Sequence, residues 1–269
     1  MAFSLGPRAV SAGYKLAAFN QLGSTNAEAL ARARDGECGP IWFVTSEQTA
    51  GRGRRHRPWI APRGNLASSI LEVIDVPPAV AATLGFAAGL ALEAALRQSS
   101  ARASLPSAGL DRMKFALKWP NDVMAGNRKL AGILLEAEAA GDRLAVVVGI
   151  GTNVLAAPEG TPTPATSLKA LGVDISAEEL FGALSDSWTE FRGIWDNGRG
   201  FRAIRGKWLE RAAGLGQPVS ILSGGSTVTG TFDTIDETGC MIVATPGGRR
   251  VPISAGDVYF GAAASVGAA

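Results

Sequence analysis

Apolar residues follow two spacings along this chain: short β-rich runs, and longer stretches that repeat every three to four residues. Runs of the first kind predict strands at 14–22, 41–49 and 65–74. Between the first two runs, the segment STNAEALARARDG has helical spacing. We expect Thr25 to be the N-cap of this helix and Glu28, three residues later, to complete a capping box.

Three later stretches also have helical spacing. Residues 80–96 are almost continuously apolar, but a glutamate interrupts them and much of their bulk is Ala and Gly, so they predict a buried helix and not a membrane span. Residues 176–195 predict an amphipathic helix with Ser176 and Glu179 as its capping box. Residues 201–214 predict a third helix, which ends at a glycine.

Two regions are rich in short strands separated by turn residues. Residues 115–154 divide at Pro120, Gly126-Asn127 and Gly141-Asp142, which is the spacing of hairpins. After Gly214 the strands are shorter, which is typical of a small barrel. The predicted turns of this second region are Gly224-Gly225, Glu237-Thr238-Gly239 and Gly247-Gly248.

These elements predict an α+β fold with two domains. In residues 1–213, we expect a mixed, largely antiparallel sheet that carries helices on one side and ligand loops on the other. Residues 214–269 are expected to form the appended β barrel. A chain of 269 residues with 46% hydrophobic content can fill cores of this size.

Basic charge is concentrated in one segment. The formal net charge is only +2, but four arginines fall within the segment GRGRRHRPW at 51–59, and a fifth follows at position 63. No acidic residue occurs from position 48 to position 71. A protein that coats long nucleic acid usually has a larger and more widely spread basic excess. The pattern therefore predicts a focused anion site, with a solvated basic loop as the alternative.

The chemistry of this segment suits a phosphate ligand. Gly51 and Gly53 let the backbone approach a ligand closely, and guanidinium groups donate paired hydrogen bonds to phosphate oxygens. Two like charges about 4 Å apart repel by about 4 kcal/mol at an effective dielectric of 20. A guanidinium cluster would offset this repulsion if a carboxylate were brought to the α-phosphate of a nucleotide.

Polar residues follow predicted strands at two further places. In KWPND, Lys118 could bridge a carboxylate and a phosphate, whereas Asp122 could hold a metal-bound phosphate or only cap the turn. Lys129 begins the apolar run KLAGIL, where an edge lysine is the alternative. In GIGTN, Asn153 could hydrogen-bond a nucleotide or belong to a turn. The missing third glycine argues against a dinucleotide-binding fingerprint there.

Residue counts exclude several other site chemistries. His56 is the single histidine, so a histidine-based triad is excluded, and the sequence has no metal-ligand spacing. Cys38 and Cys240 lie far apart and outside any convergent motif, which argues against a thiol intermediate or a disulfide scaffold. Because no signal peptide opens the sequence, we expect a cytoplasmic location.

Together these segments resemble the biotin–protein ligases. GRGRRHRPW matches the arginine-rich loop of that family, KWPND and KLAGIL match residue for residue, and GSTN and GIGTN complete the set. The resemblance implies the class II synthetase/biotin ligase-like fold, with residues 1–213 as the catalytic biotin- and ATP-binding domain and 214–269 as an SH3-like domain. His56 departs from the family's glycine, and Thr152 replaces an apolar residue.

The resemblance implies a two-step reaction. Biotin attacks ATP, with Mg²⁺, to give biotinyl-5′-AMP and pyrophosphate. A lysine of a biotin carboxyl carrier protein domain, the partner found in biotin-dependent carboxylases, then attacks this mixed anhydride. Lipoate ligases and octanoyltransferases, which are similar in fold, and a nucleic-acid-binding module are the alternatives.

The same resemblance bears on partners. Since the first ligase motif begins at Gly23, we expect no N-terminal DNA-binding repressor domain. We therefore expect no DNA partner and no membrane partner. A homodimer is left open.

The resemblance also implies roles for individual residues. Biotin would be bound by Ser24, Thr25, Asn26, Gln48, Arg52, Gly53, Arg54 and Lys129. ATP and the adenylate would be bound by Arg54, Arg55, Arg57, Lys118, Asn121 and Asn153. The catalytic residues would be Arg54 and Lys118. No residue is assigned to a metal, and Trp59 would only pack under the loop.

Overall fold

A computed structural model describes residues 2–102 and 115–260 of the protein, whose strands form one sheet of seven and one of five. The first sheet contains β1 (Lys15–Phe19), β2 (Ile41–Thr45), β3 (Leu66–Ile74), β4 (Phe115–Lys118), β5 (Asp122–Ala125), β6 (Arg128–Ala140) and β7 (Arg143–Thr152). The second contains β8 (Pro218–Ser223), β9 (Ser226–Ile235), β10 (Met241–Ala244), β11 (Arg250–Ile253) and β12 (Asp257–Phe260). The helices are α1 (Pro7–Ser11), α2 (Thr25–Arg34), α3 (Pro78–Ala82), α4 (Leu84–Arg102), α5 (Ala177–Trp195) and α6 (Phe201–Leu209).

The seven-stranded sheet is mixed and largely antiparallel, as predicted. Its strand order is β1-β2-β3-β7-β6-β5-β4. Only the β1–β2 pair is parallel, and the other neighbours are antiparallel. Strands β3, β7 and β6 form the centre, and Gly132 of β6 lies opposite Gly151 of β7. The predicted end of the barrel at 261–269 and the side chain of His56 lie outside the described residues.

Helices cover both faces of this sheet, so the expectation of helices on one side only was wrong. On one face, Trp42, Val44 and Val148 pack in a core with α4 and α5. On the other face, Ala29 and Leu30 of α2 pack on residues of β2, β3 and β7. Alternate side chains of a strand point to opposite faces, and here both sets are apolar over part of their length. Each set therefore requires a covering helix.

The predicted cap of α2 was wrong by one residue. Ser24 is the N-cap, and its side chain accepts a hydrogen bond from the backbone N–H of Ala27. Thr25 is the first helical residue, and its N–H and hydroxyl both lie within hydrogen-bond distance of Gln48 Oε1, at 2.8 and 3.2 Å. Glu28 binds Arg32 at 2.8 Å instead of the N-cap backbone. The Thr25 hydroxyl, which the local pattern assigned to the N-cap, thus contacts Gln48 from another part of the chain.

The apolar stretch that begins at Pro78 is a buried helical segment, as predicted, although it divides at Thr83 into α3 and α4. The segment Pro78–Ala101 has the length and hydropathy of a membrane span, but 72% of its most apolar window is buried inside the protein. Its glutamate, Glu93, is also buried and forms ion pairs with Arg97 and Arg211, both at 3.1 Å. These contacts are those of a core helix.

The five-stranded sheet is docked onto the turn between β4 and β5. The predicted helix at 201–214 ends at Leu209, because the residues after it continue along β4: Leu117 N–H donates to Arg211 O, and Ala213 N–H donates to Leu117 O, both at 2.8 Å. Trp119 Nε1 donates to Gly239 O at 3.0 Å. The module formed by β8–β12 is therefore fixed against the strand that carries Lys118.

The capping box of α5 offers a stability test. Ser176 Oγ accepts from Glu179 N–H at 3.2 Å, and Glu179 Oε2 accepts from Ser176 N–H at 2.8 Å, as the sequence predicted. Ser176→Ala removes the first bond, and we expect the free energy of unfolding in urea to fall by about 1 kcal/mol. Ser226→Ala, at an exposed position at the start of β9, is the control and should change it by less than about 0.5 kcal/mol. Equal effects of both variants would contradict the capping role.

Candidate active site

Two glycines on β7, Gly149 and Gly151, leave room for the site on one face of the sheet. Along the face that α2 covers, Ala145 and Val147 are buried, and then Gly149 and Gly151 follow. A methyl group at Gly149 would collide with the amide of Asn26, and one at Gly151 would collide with the indole of Trp59. The absence of side chains at these two positions lets polar groups from other elements reach the sheet surface.

A cavity of about 410 Å³ lies above these glycines. It is bordered by the start of α2, the arginine loop (51–59), the β4–β5 turn, the Pro/Thr-rich segment 158–165 and β12. Every residue that the resemblance assigned to biotin, ATP or catalysis borders it. These are Ser24, Thr25, Asn26, Gln48, Arg52, Gly53, Arg54, Arg55, Arg57, Lys118, Asn121, Lys129 and Asn153.

The arginine loop folds back on itself as an irregular hairpin. Arg52 pairs with Pro58 as an isolated antiparallel bridge, and Gly53 N–H donates to Arg57 O at 2.7 Å. At the tip, Arg55 has a φ of 55°, in the left-handed region that few residues other than glycine adopt. This conformation turns the tip so that consecutive arginine side chains reach different partners.

The four arginines of the loop have three different partners. Arg52 Nη2 donates to Glu136 Oε2 at 3.1 Å, and Arg54 Nη1 donates to Asn121 Oδ1 at 3.1 Å. The other two, Arg55 and Arg57, both bind the carboxylate of Asp257 on β12, each at 2.8 Å. The partners come from three distant elements, and the loop is therefore tied into the fold, in contrast to the alternative of a solvated basic loop.

Glu136 was missed by the sequence analysis. It lies on β6, where the run LLEAEA interrupts the apolar pattern, and it binds both Arg52 and the side-chain amide of Asn26. Alternation along the strand places Glu136 on the same face as Gly132, which borders the cavity. An acidic residue and a glycine on the same face of an apolar strand were the sequence signal that could have identified Glu136 as a site residue.

Amides and hydroxyls form a buried cluster at one end of the cavity. Ser69 Oγ lies 2.7 Å from Thr25 Oγ1 and 2.6 Å from Asn26 Oδ1. The amide of Asn26 donates to Glu136 Oε2 at 2.8 Å, and Gln48 Oε1 accepts from Thr25 N–H. Ser69 was also missed, because it lies inside a run predicted as a plain strand. The cluster offers donors and acceptors fixed by their own partners.

Two lysines, Lys118 and Lys129, also border the cavity. Lys129 Nζ is 2.7 Å from Asp122 Oδ1 and 5.5 Å from the centre of the Trp59 ring. Strand β6 lies between β5 and β7, so Lys129 is not an edge lysine. Asp122 forms an ion pair and does not only cap the turn, and Trp59 borders the cavity instead of only packing under the loop.

Burial weakens the affinity of two basic side chains of the cavity, Lys118 and Arg54, for their protons. Desolvation lowers the pKa of Lys118, although the nearby carboxylate of Asp122 opposes that shift. Desolvation, followed by the charge of Arg55, lowers the pKa of Arg54. Both shifts show that desolvation makes the charged forms of these side chains less favourable. An anionic ligand would stabilise the charged forms and offset this desolvation penalty.

Asn153 borders the cavity and has an unused acceptor. It follows β7, its side chain is buried, and its Nδ2 donates to Thr166 O at 3.1 Å. Within residues 2–102 and 115–260, its Oδ1 has no hydrogen-bond partner. An unsatisfied buried acceptor costs about 1–3 kcal/mol. A ligand that donates a hydrogen bond here would recover this free energy.

Comparison with known proteins agrees with this geometry. Residues 36–153 match the Biotin/lipoate A/B protein ligase family, and residues 214–261 match the Biotin protein ligase C terminal domain. The biotin–(acetyl-CoA-carboxylase) ligase of Paracoccus denitrificans is 39% identical over 88% of this chain and 97% of its own length. That of Mycobacterium tuberculosis is 38% identical over 88% of this chain and 86% of its own length. The structure of the biotin protein ligase from Aquifex aeolicus in complex with biotin and ATP superimposes with a TM-score of 0.72, at 25% identity, over 92% of this chain and 99% of that one.

The lowered pKa of the half-buried Lys118 gives a stability prediction with a defined sign. Because burial lowers the pKa of Lys118 in the folded protein, the unfolded chain binds this proton more tightly. The charged ammonium therefore reduces stability at neutral pH, and its contribution improves as pH rises through the folded pKa towards the unfolded value. We expect Lys118→Met to raise the free energy of unfolding at neutral pH, with the gain narrowing in alkaline buffer.

Urea unfolding at several pH values measures this effect. Lys207→Met, at an exposed position on α6, is the control and should show little change at any pH. A Lys118→Met variant that is less stable than the wild type at neutral pH would show that attraction to Asp122 outweighs desolvation.

Proposed function

Since the chain belongs to the biotin protein ligase family, we propose that it activates biotin with ATP and transfers the biotinyl group to a lysine of a biotin carboxyl carrier domain. In the first step a carboxylate oxygen of biotin attacks the α-phosphorus of ATP. The bond from that phosphorus to the bridging oxygen breaks, and pyrophosphate leaves. In the second step the lysine amine attacks the carbonyl of the mixed anhydride, and AMP leaves.

One observation carries this proposal: guanidinium and ammonium groups converge on the same cavity as a glycine-lined surface. Arg54, Lys118 and Lys129 all border it. A carboxylate about 4 Å from a phosphate is repelled by about 4 kcal/mol at an effective dielectric of 20. Fixed positive groups offset this repulsion and stabilise the charge that develops in the transition state.

The amide and hydroxyl cluster supports binding of biotin at one end. Thr25, Asn26 and Gln48 border the cavity and supply donors and acceptors already held by neighbouring groups, which suits the ureido ring of biotin. From there the acyl chain of biotin would extend past Trp59 towards Lys129. The side chains of these two residues contact each other. Arg52 and Gly53 cover this path from the loop.

The free acceptor of Asn153 supports adenine as the base of the nucleotide. The exocyclic amine of adenine is a hydrogen-bond donor, whereas guanine carries a carbonyl oxygen at the corresponding position. Asn121 and the arginines of the loop border the same cavity, and a triphosphate would lie against them.

Magnesium is proposed as a companion of the triphosphate. Among the described residues no three acidic, histidine or cysteine side chains come together as a metal site. Mg²⁺ is commonly held by one or two carboxylates together with substrate phosphates, and the carboxylate of Asp122 borders the cavity. The residues therefore fit a nucleotide-borne ion, with Asp122 as its protein ligand. When bound, the ion would neutralise phosphate charge.

The activity is tested by incubating the protein with labelled biotin and a purified carrier domain, with and without ATP. We expect label on the carrier and release of pyrophosphate only when ATP is present. A parallel reaction with labelled lipoate separates this function from that of a lipoate ligase. Transfer of lipoate but not biotin, or no release of pyrophosphate, would refute the proposal.

Arg54 gives a second test of the proposal. Its guanidinium joins the loop to Asn121, and a charged hydrogen bond of this kind contributes roughly 1.5–3 kcal/mol. We expect Arg54→Gly to release biotinyl-5′-AMP into solution about tenfold faster or more, so that lysines on unrelated proteins become biotinylated. Arg63→Gly, an exposed arginine that follows the loop, is the matched control. Adenylate release from Arg54→Gly at the wild-type rate would refute the retention role.

The remaining expectations stay predictions. We propose a cytoplasmic enzyme with no DNA or membrane partner, and a homodimer is not assigned. The boundary between the catalytic and SH3-like domains is placed at Gly214, which the start of the C-terminal family match supports. A biotin-dependent gel shift with a palindromic operator would contradict the absence of a DNA partner.

A further inference from the structure

One carboxylate of the C-terminal module touches the arginine loop. Asp257 is the first residue of β12, and its Oδ2 lies 2.8 Å from Arg55 Nη1 and 2.8 Å from Arg57 Nη2. Asp257 also borders the cavity. Two guanidinium groups that meet at one oxygen would otherwise repel each other, so the carboxylate is what allows them to converge.

These two ion pairs fix the tip of the loop. Arg55 is the left-handed residue at the tip, and the N–H of Gly53 donates to the carbonyl of Arg57 across its base. On the cavity side, Arg54 is bound to Asn121. The tip is therefore clamped from two sides, by the β4–β5 turn through one arginine and by the C-terminal module through the other two.

The position of Asp257 is itself fixed relative to the catalytic strand. Strand β12 pairs with β8, and the module is joined to the main sheet by the hydrogen bond from Trp119 Nε1 to Gly239 O. The backbone that leads into the module, at Arg211 and Ala213, pairs with Leu117. Leu117 precedes Lys118 on β4. The carboxylate therefore cannot drift away from the loop without a movement of the whole module.

We propose that Asp257 is a positioning residue that keeps the arginine loop closed over the adenylate after pyrophosphate has left. This inference rests on the proposed function, in which Arg55 and Arg57 bind phosphates of ATP. The triphosphate competes with Asp257 for both guanidinium groups. When pyrophosphate departs, the carboxylate takes them back, and the cover over biotinyl-5′-AMP is retained until the carrier lysine arrives.

The exposure of the ion pairs suits such an exchange. The side chains of Arg55 and Arg57 are 42% and 63% exposed, and that of Asp257 is 21% exposed. Exposed ion pairs are weak because water and salt compete for the charges. A pair of this kind can hold a loop and still give way to a triphosphate, which a fully buried pair would do poorly.

The test uses purified biotinyl-5′-AMP added directly to the protein, so that the activation step is bypassed. We expect Asp257→Asn to release the adenylate at least about fivefold faster than the wild type, and Asp257→Glu to restore the rate to within about twofold. Asp233→Asn is the matched control, because Asp233 pairs with Arg250 elsewhere in the same module and does not border the cavity. It should release the adenylate at the wild-type rate.

Two further measurements separate positioning from a general effect on folding. Added salt should speed release from the wild type but much less from Asp257→Asn, since the screened ion pairs are already lost there. Urea unfolding should give free energies for Asp257→Asn and Asp233→Asn that agree within about 1 kcal/mol, since each variant loses only exposed ion pairs of the same module. Equal release from wild type and Asp257→Asn, or equal acceleration by Asp233→Asn, would overturn the proposal. If the wild type itself fails to bind the adenylate and releases no pyrophosphate from biotin and ATP, the proposed function fails instead.

Discussion

Repulsion between like charges is the constraint on which the arrangement of this site depends. Four arginines within a short loop repel one another, and so would the carboxylate and triphosphate that the site is proposed to join. The fold resolves the first problem with polar groups from separate elements: Glu136 on β6, Asn121 in the β4–β5 turn and Asp257 on β12. The ligands would resolve the second by taking over part of that neutralisation.

The sheet contributes by what it leaves out. On the face of β7 that α2 covers, Val147 is followed by Gly149 and Gly151, which have no side chains. The same face therefore changes from a packed core to the floor of a cavity. The opposite face of the same strand remains packed against α4 through Val146 and Val148. One strand therefore anchors the core on one side and forms the site on the other, and the rigidity of the core is passed to the floor.

Sequence motifs identified residues that border the cavity, but not the contacts among them. The motif residues come from separate segments of the chain, and the family resemblance was the reason to assign them to one site. Glu136, Ser69 and Asp257 act through partners 43 or more residues away, and no local pattern specifies such partners. Distant partners also explain two wrong boundaries. Thr25 is not the N-cap of α2 because Gln48 binds it, and the helix predicted at 201–214 ends at Leu209 because the following residues pair with β4.

Because β12 belongs to the C-terminal module and yet forms one wall of the cavity, the two modules cannot be treated as independent building blocks. A chimera that receives this module from another relative would bring in a foreign residue at position 257 opposite resident arginines at 55 and 57. The arginine loop and β12 are energetically coupled through these ion pairs, although about 200 positions separate them in the sequence. Functional exchange of modules within the family would require moving both segments together.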